Sequence, residues 1–311
     1  MSSTCSAVTV KLSTEAAPLP SGREIPINLE LRCRLGRRQK AELLQDVGIA
    51  LVKGVAAFGI NPRVSSLPVL SVVNELEERE YKALKHKVHV NGNYLQLSNT
   101  VTLAKGAIKR NSGRRTVGHE YGHFFTFEAV RALNLRMEEE QKVVNLLRET
   151  GLMEGLADAL AAITLLDIKG VDASDAKWVA KGLLIMARMH GLEGSFRNVE
   201  IQWVRDIVRL RKAATGGWRF LDEVERLVKR TSADEDAVLF NTKYLTGNVL
   251  IAIALLNNSG QDPSRIISRL ARSPWDIYWL LDGISTTLLD GYEKRIDLVS
   301  FEPTALMRRE G

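Results

Sequence analysis

Residues 114–130 read RRTVGHEYGHFFTFEAV, and the two histidines four apart, with a glutamate directly after the first, govern the reading of the whole chain. On an α-helix each residue advances by about 100°. His119 and His123 then stand about 40° apart and one turn removed, so both imidazoles can reach one ion. Glu120 lies beside that face, where it can hold a water on the ion and take its proton. Zinc suits two imidazoles and one carboxylate, with the fourth position left to water. The plainer reading is an ordinary helix with two histidines satisfied inside a core. Three details weigh against it. The chain has only five histidines, and two fall here. A β-hairpin signal comes just before. Gly122 occupies a helix interior, where glycine costs about 1 kcal/mol relative to alanine. That glycine makes sense if another helix must come close beside His123.

A third donor is needed, and the stretch GLMEGLADALAAITLL (151–166) supplies one. Glu154 and Asp158 are four apart, on one face of a helix whose other residues there are mostly small. Such a helix can press against Gly122 and deliver Glu154 to the metal. Asp158, one turn on, can accept a hydrogen bond from a ligand imidazole and fix its tautomer. Glu128 falls on the opposite side of the motif helix. No histidine stands at the HExxHxxGxxH spacing, since residues 124–129 read FFTFEA.

Upstream of the motif the pattern is mixed. Residues 1–23 read as a mobile polar tail. EIPINLELRCRL (24–35) alternates like a strand, and GRRQKAELLQDVGIALVKGVAAFGI (36–60) has helical spacing ended by Gly59. LPVLSVV (67–73) reads as a strand, and NELEEREYKALKH (74–86) as a charged connector or short helix. KVHVNGNYLQLSNTV (87–101) is the clearest β signal, two alternating runs about Asn91-Gly92, the pair favoured for a tight hairpin. From about 114 onward there is little strand signal. Apolar residues recur at helical spacing through 141–167, 175–190, 197–213, 218–230, 235–257, 264–271 and 275–290. The expected fold class is therefore α+β: a small N-terminal sheet with helices, then an all-helical lobe. The expected organisation is a tail over 1–23, an α+β lobe over 24–135 and a helical lobe over 136–311.

Bulk properties exclude several classes. The 311 residues are enough for a substantial core, and 45% hydrophobic with 26% charged residues is ordinary for a globular protein. The apolar run YLTGNVLIAIALL falls well short of the ~20 residues a membrane span needs. The N-terminus lacks a basic start followed by an apolar run. A cytoplasmic protein that does not enter the membrane is expected. Two cysteines, Cys5 and Cys33, make no disulfide framework. The net charge of +6 comes with basic clusters at 34–40, 108–115 and 208–212. They lack interleaved aromatics and match no nucleic-acid module, so a solvated Arg-rich surface is favoured over a nucleic-acid partner.

HEYGH with EGLAD about thirty residues on resembles the gluzincin group of zinc metallopeptidases. The resemblance implies a zincin-like fold, one zinc ion, His119, His123 and Glu154 as ligands, Glu120 as general base and Asp158 behind the ligands. It also implies a peptide or protein substrate held along an edge strand, here Tyr94–Ser98, with Tyr94, Gln96 and Ser98 as substrate-binding residues. NTKYLTGNVLIAIALL (241–256) is similar to the Y-x-x-G helix start of the aminopeptidase branch, which makes Tyr244 the oxyanion donor. His190 is the alternative proton donor. The G-x-M-E-N motif of those aminopeptidases is missing, so cleavage within chains is expected rather than at amino termini. Two other readings stay open. One is a repressor-cleaving metalloprotease working near DNA. The other is a non-catalytic helical scaffold with structural zinc or none.

Overall fold

The computed structural model describes residues 11–76, 79–80, 87–88, 91–109, 113–168, 173–191, 247–248, 250–252, 254–256, 258 and 260–277. Seven strands and seven helices can be named in chain order. They are β1 (Lys11–Pro18), β2 (Glu24–Leu31), α1 (Arg37–Phe58), β3 (Val69–Val73), β4 (Arg79–Glu80), β5 (Lys87–Val88), β6 (Gly92–Leu95), β7 (Thr100–Ala104), α2 (Lys105–Lys109), α3 (Gly113–Arg131), α4 (Met137–Glu149), α5 (Leu152–Ile168), α6 (Ala176–Gly191) and α7 (Pro263–Arg272). The described residues between 247 and 256 are also helical. The protein is thus α+β: a mixed five-stranded sheet in the order β1-β2-β3-β7-β6, then helices. No described helix is long and apolar enough to cross a membrane.

The inner strands follow from their alternation. Leu29, Leu70 and Val101 stand side by side across β2, β3 and β7, which run parallel, and all three are buried. Both edge strands run antiparallel to their neighbours. Helix α1 lies near β1, and its Phe58 ring stacks on Phe125 of α3 at 5.7 Å between centroids. Buried residues from Ala17 in β1 to Ile277 after α7 belong to one hydrophobic cluster. The position expected to divide the lobes, 135/136, therefore lies between helices that share that core.

Four expectations need correction. The first is the tail. Residues 11–18 form β1, paired with β2 from Lys11↔Leu31 to Pro18↔Glu24. Its apolar signal is weak because the strand buries little: Ala17 is fully covered, while Leu12 stays exposed. The second is the hairpin. Its turn is not at Asn91-Gly92 but at Gln96–Asn99, between β6 and β7. Gln96 C=O accepts from Asn99 N–H, and Asn99 adopts φ 47°, a left-handed conformation that asparagine tolerates. Asn99 is then anchored three ways: its Nδ2 donates to Ser66 C=O, its Oδ1 accepts from Tyr94 OH, and its C=O accepts from Val69 N–H. Gly92 does not take a positive φ. It is needed for closeness instead. A Cβ on it would stand 2.6 Å from Thr116 Cγ2 and 2.9 Å from Glu120 Oε1.

The third correction concerns 74–86. Arg79–Glu80 is a two-residue strand paired with Lys87–Val88, where a connector or short helix was expected. The fourth is the helical run over 141–167, which breaks into α4 and α5 at Gly151, where φ is 74°. The break redirects the chain so that α5 can lie along α3. The helical expectations over 175–190 and 264–271 correspond to α6 and α7. Those over 197–213 and 218–230, and most of 275–290, lie outside the described residues.

One ion pair joins α1 to the start of the motif helix. Arg114 Nε lies 3.2 Å from Asp46 Oδ1. Burial pushes the Asp46 carboxyl up to about 6, against the pull of Arg114, and Glu42 adds to the rise. The folded chain therefore holds this proton more tightly than the unfolded chain, where an aspartate titrates near about 3.9. Stability is greatest while the group is protonated and falls as pH rises from about 4 to about 6. Asp46→Asn never ionises and should escape that fall. Allowing for screening by nearby solvent, the stability difference should move in the variant's favour by about 1–2 kcal/mol between pH 4 and pH 7. Chemical denaturation of both proteins at the two pH values measures it. A difference that does not change with pH would exclude this account.

Candidate metal centre

The motif helix and α5 meet over very small residues. A Cβ on Gly122 would stand 2.5 Å from Ala157 Cα, and one on Gly118 would stand 2.8 Å from Ala161 Cα. Only glycine against alanine lets two helices approach this closely. The approach brings Glu154, in the first turn of α5, under the two imidazoles. His119 Nε2 lies 3.1 Å from His123 Nε2. Glu154 Oε2 lies 3.4 Å from the first and 3.3 Å from the second. An ion bound tetrahedrally at about 2.0–2.1 Å has ligand atoms about 3.3–3.4 Å apart. The three atoms already stand nearly at the corners of one face of such a tetrahedron. Glu154 Oε2 is also buried and makes no hydrogen bond among the described residues. His119, His123 and Glu154 could therefore hold a metal ion.

Hydrogen bonds set the chemistry of this face. His119 Nδ1 lies 2.8 Å from Asp158 Oδ1. Asp158 is fully buried and accepts, so Nδ1 carries the proton and the lone pair of Nε2 turns toward the site. Burial disfavours a charged His119, but the negative charge and hydrogen bond of Asp158, with help from Glu154 and Glu120, hold its pKa well above the ordinary value. Burial alone would raise the Glu154 carboxyl. The positive field of His123 and the contacts with both imidazoles reverse that and hold it well below the usual range. Such a group of opposed charges is what a dication would replace: the metal takes over the role of the imidazole protons.

Glu120 is not among the converging donors. It is buried beside them, with one oxygen against Gly92 of β6. Burial raises its carboxyl, and the fields of His119 and His123 partly offset that. A carboxylate lifted toward neutrality is a better proton acceptor at working pH.

The structure also places the other predicted residues. Tyr94 lies in the edge strand β6, but its ring packs on Phe124 and Phe127, and burial pushes its hydroxyl up to about 12. Gln96 and Ser98 fall in the turn after β6, not in the strand itself, because the hairpin turns five residues later than its Asn-Gly signal suggests. Glu128 pairs with Arg131 at 2.6 Å. His190 is in α6, in its final turn. Tyr244 lies outside the described residues, as does Cys5. Cys33 is buried and free.

One site residue escaped sequence reasoning. Asn248 is fully buried, and its Nδ2 donates to Asp158 Oδ2 at 2.8 Å. The only local sign was Gly247 beside it, a small residue that marks a close helix contact. Gly247 does pack against α5: a Cβ there would stand 1.9 Å from Gly151 C=O oxygen and 3.1 Å from Gly155 N. No protein-family model matches the chain, and no curated protein or solved structure is significantly similar to it.

Proposed function

We propose that this chain is a zinc-dependent peptidase of gluzincin type that cleaves within polypeptides. The observation that carries the reading is the convergence of His119 Nε2, His123 Nε2 and Glu154 Oε2 at 3.1–3.4 Å, with a buried carboxylate, Glu120, alongside. Two imidazoles and one carboxylate form the ligand set of catalytic zinc sites that keep one position open. A purely structural site closes with a fourth protein ligand, and no fourth donor joins the group among the described residues. When bound, zinc supplies a Lewis acid that polarises a carbonyl and makes water easier to deprotonate. Glu120 would accept the proton of the attacking water and hand it to the leaving amine. Asp158 would hold His119 in the tautomer that ligates.

The zincin-like reading of the fold rests on β6. It is an edge strand antiparallel to β7, and its first residue touches Glu120. A substrate in extended form would add to its outer edge, unpaired among the described residues, through backbone hydrogen bonds beside the base. Tyr244 and His190 remain the two proposed donors to the developing oxyanion.

Metal content and peptide cleavage test the reading together. The purified chain should carry one zinc ion, cut a mixed peptide library, stop on chelation and resume when zinc returns. His123→Ala removes one of three ligands and should lose both metal and cleavage. Undiminished cleavage by metal-free protein would exclude the mechanism, and stoichiometric zinc without any cleavage would favour the scaffold reading.

A further inference from the structure

We infer that Asn248 is a positioning residue of the metal centre, acting through Asp158 to hold His119 in its ligating tautomer and orientation. This rests on the metal-site part of the proposed function and not on the reaction. The two oxygens of Asp158 have separate duties. Oδ1 accepts from His119 Nδ1 at 2.8 Å, and Oδ2 accepts from Asn248 Nδ2 at 2.8 Å. Bonds at both oxygens fix the plane of the carboxylate, and that plane fixes the imidazole. Arg115 lies 3.9 Å from Oδ1, the same oxygen that His119 uses. Loss of the bond at Oδ2 removes one of the contacts that hold this plane, and the bond to His119 loosens.

The burial of Asn248 fits no packing role. The residue is fully buried, and its Oδ1 has no partner among the described residues. A leucine would fill similar space without leaving a buried acceptor unpaired. The amide is accounted for by what its Nδ2 does. Its position is set by backbone contact, since a Cβ on Gly155 would stand 2.6 Å from Gly247 C=O carbon. Helix α5 therefore supplies Glu154 to the ion and also seats the segment that orients the residue behind His119.

The test measures zinc affinity by competition with a chromophoric chelator, and the His119 tautomer by ¹⁵N NMR of the metal-free protein at a pH high enough that the imidazole is neutral. Asn248→Leu and Asn248→Ala are compared with wild type. Each should weaken zinc binding about 10-fold, within the range for loss of an outer hydrogen bond. Each should also replace the single Nδ1–H tautomer of His119 by a mixture. A folded variant that binds zinc within twofold of wild type and keeps the single tautomer overturns the inference, even if its melting temperature falls. Wild-type protein that binds no zinc overturns the metal reading itself, and that result is visible before any variant is compared.

Discussion

Glu120→Gln is expected to hold zinc as tightly as the wild-type chain and to cleave peptides about 10²–10⁴ times more slowly. Glutamine has the same shape and fills the same buried space against Gly92. It cannot accept a proton. The ligand set, His119, His123 and Glu154, is untouched, so metal content should stay at one per chain. The loss should fall on kcat, with KM little changed, because the edge strand that would bind substrate is unaltered. The carboxyl is raised chiefly by burial, which suits it to take a proton from water and release it again. Cleavage by the variant within threefold of wild type would remove Glu120 from the mechanism and leave the site as a metal anchor alone.

Gly122→Ala should weaken the metal site strongly without removing any ligand. The added Cβ would stand 2.5 Å from Ala157 Cα and 2.8 Å from its carbonyl oxygen. Carbon atoms in contact sit about 3.5–4.0 Å apart, so the helices must separate by about 1 Å. Backbone is on the far side of the contact, and no side chain can rotate away. The expected cost in stability is about 1–3 kcal/mol, as for other overpacked cores. Metal binding should suffer more. Glu154 is on one helix and both histidines on the other, and a metal–ligand bond tolerates only about 0.2 Å. Zinc affinity should fall at least about 100-fold, the upper end of the loss seen when ligand support fails. Calorimetric unfolding and chelator competition separate the two effects. A variant that is destabilised yet binds zinc normally would show that the glycine serves packing only.

The part of the site that could be read from sequence is the part carried by single helices. His119, Glu120 and His123 are related by one turn, and Glu154 and Asp158 by another, so periodicity alone set each group's geometry. The small residues pointed to the partner as well: Gly122 called for a close neighbour, and the Ala-rich 157–162 stretch could provide one. The β elements were less legible. β1 has one fully buried side chain among those described, so its alternation carries little apolar signal. The Asn91-Gly92 pair imitates a turn, but Gly92 serves to admit the Glu120 carboxylate.

The sequence by itself determined the two half-sites, the α+β order of elements and the need for one tight helix contact, because each depends on residues within a few turns of one another. Only the tertiary structure decided that the half-sites meet with three donor atoms 3.1–3.4 Å apart, that the edge strand begins against Glu120, and that Asn248 stands behind Asp158. Asn248 is 90 positions from Asp158 in the chain. Such a contact has no period to betray it, since it depends on how helices pack and not on how any one of them is wound.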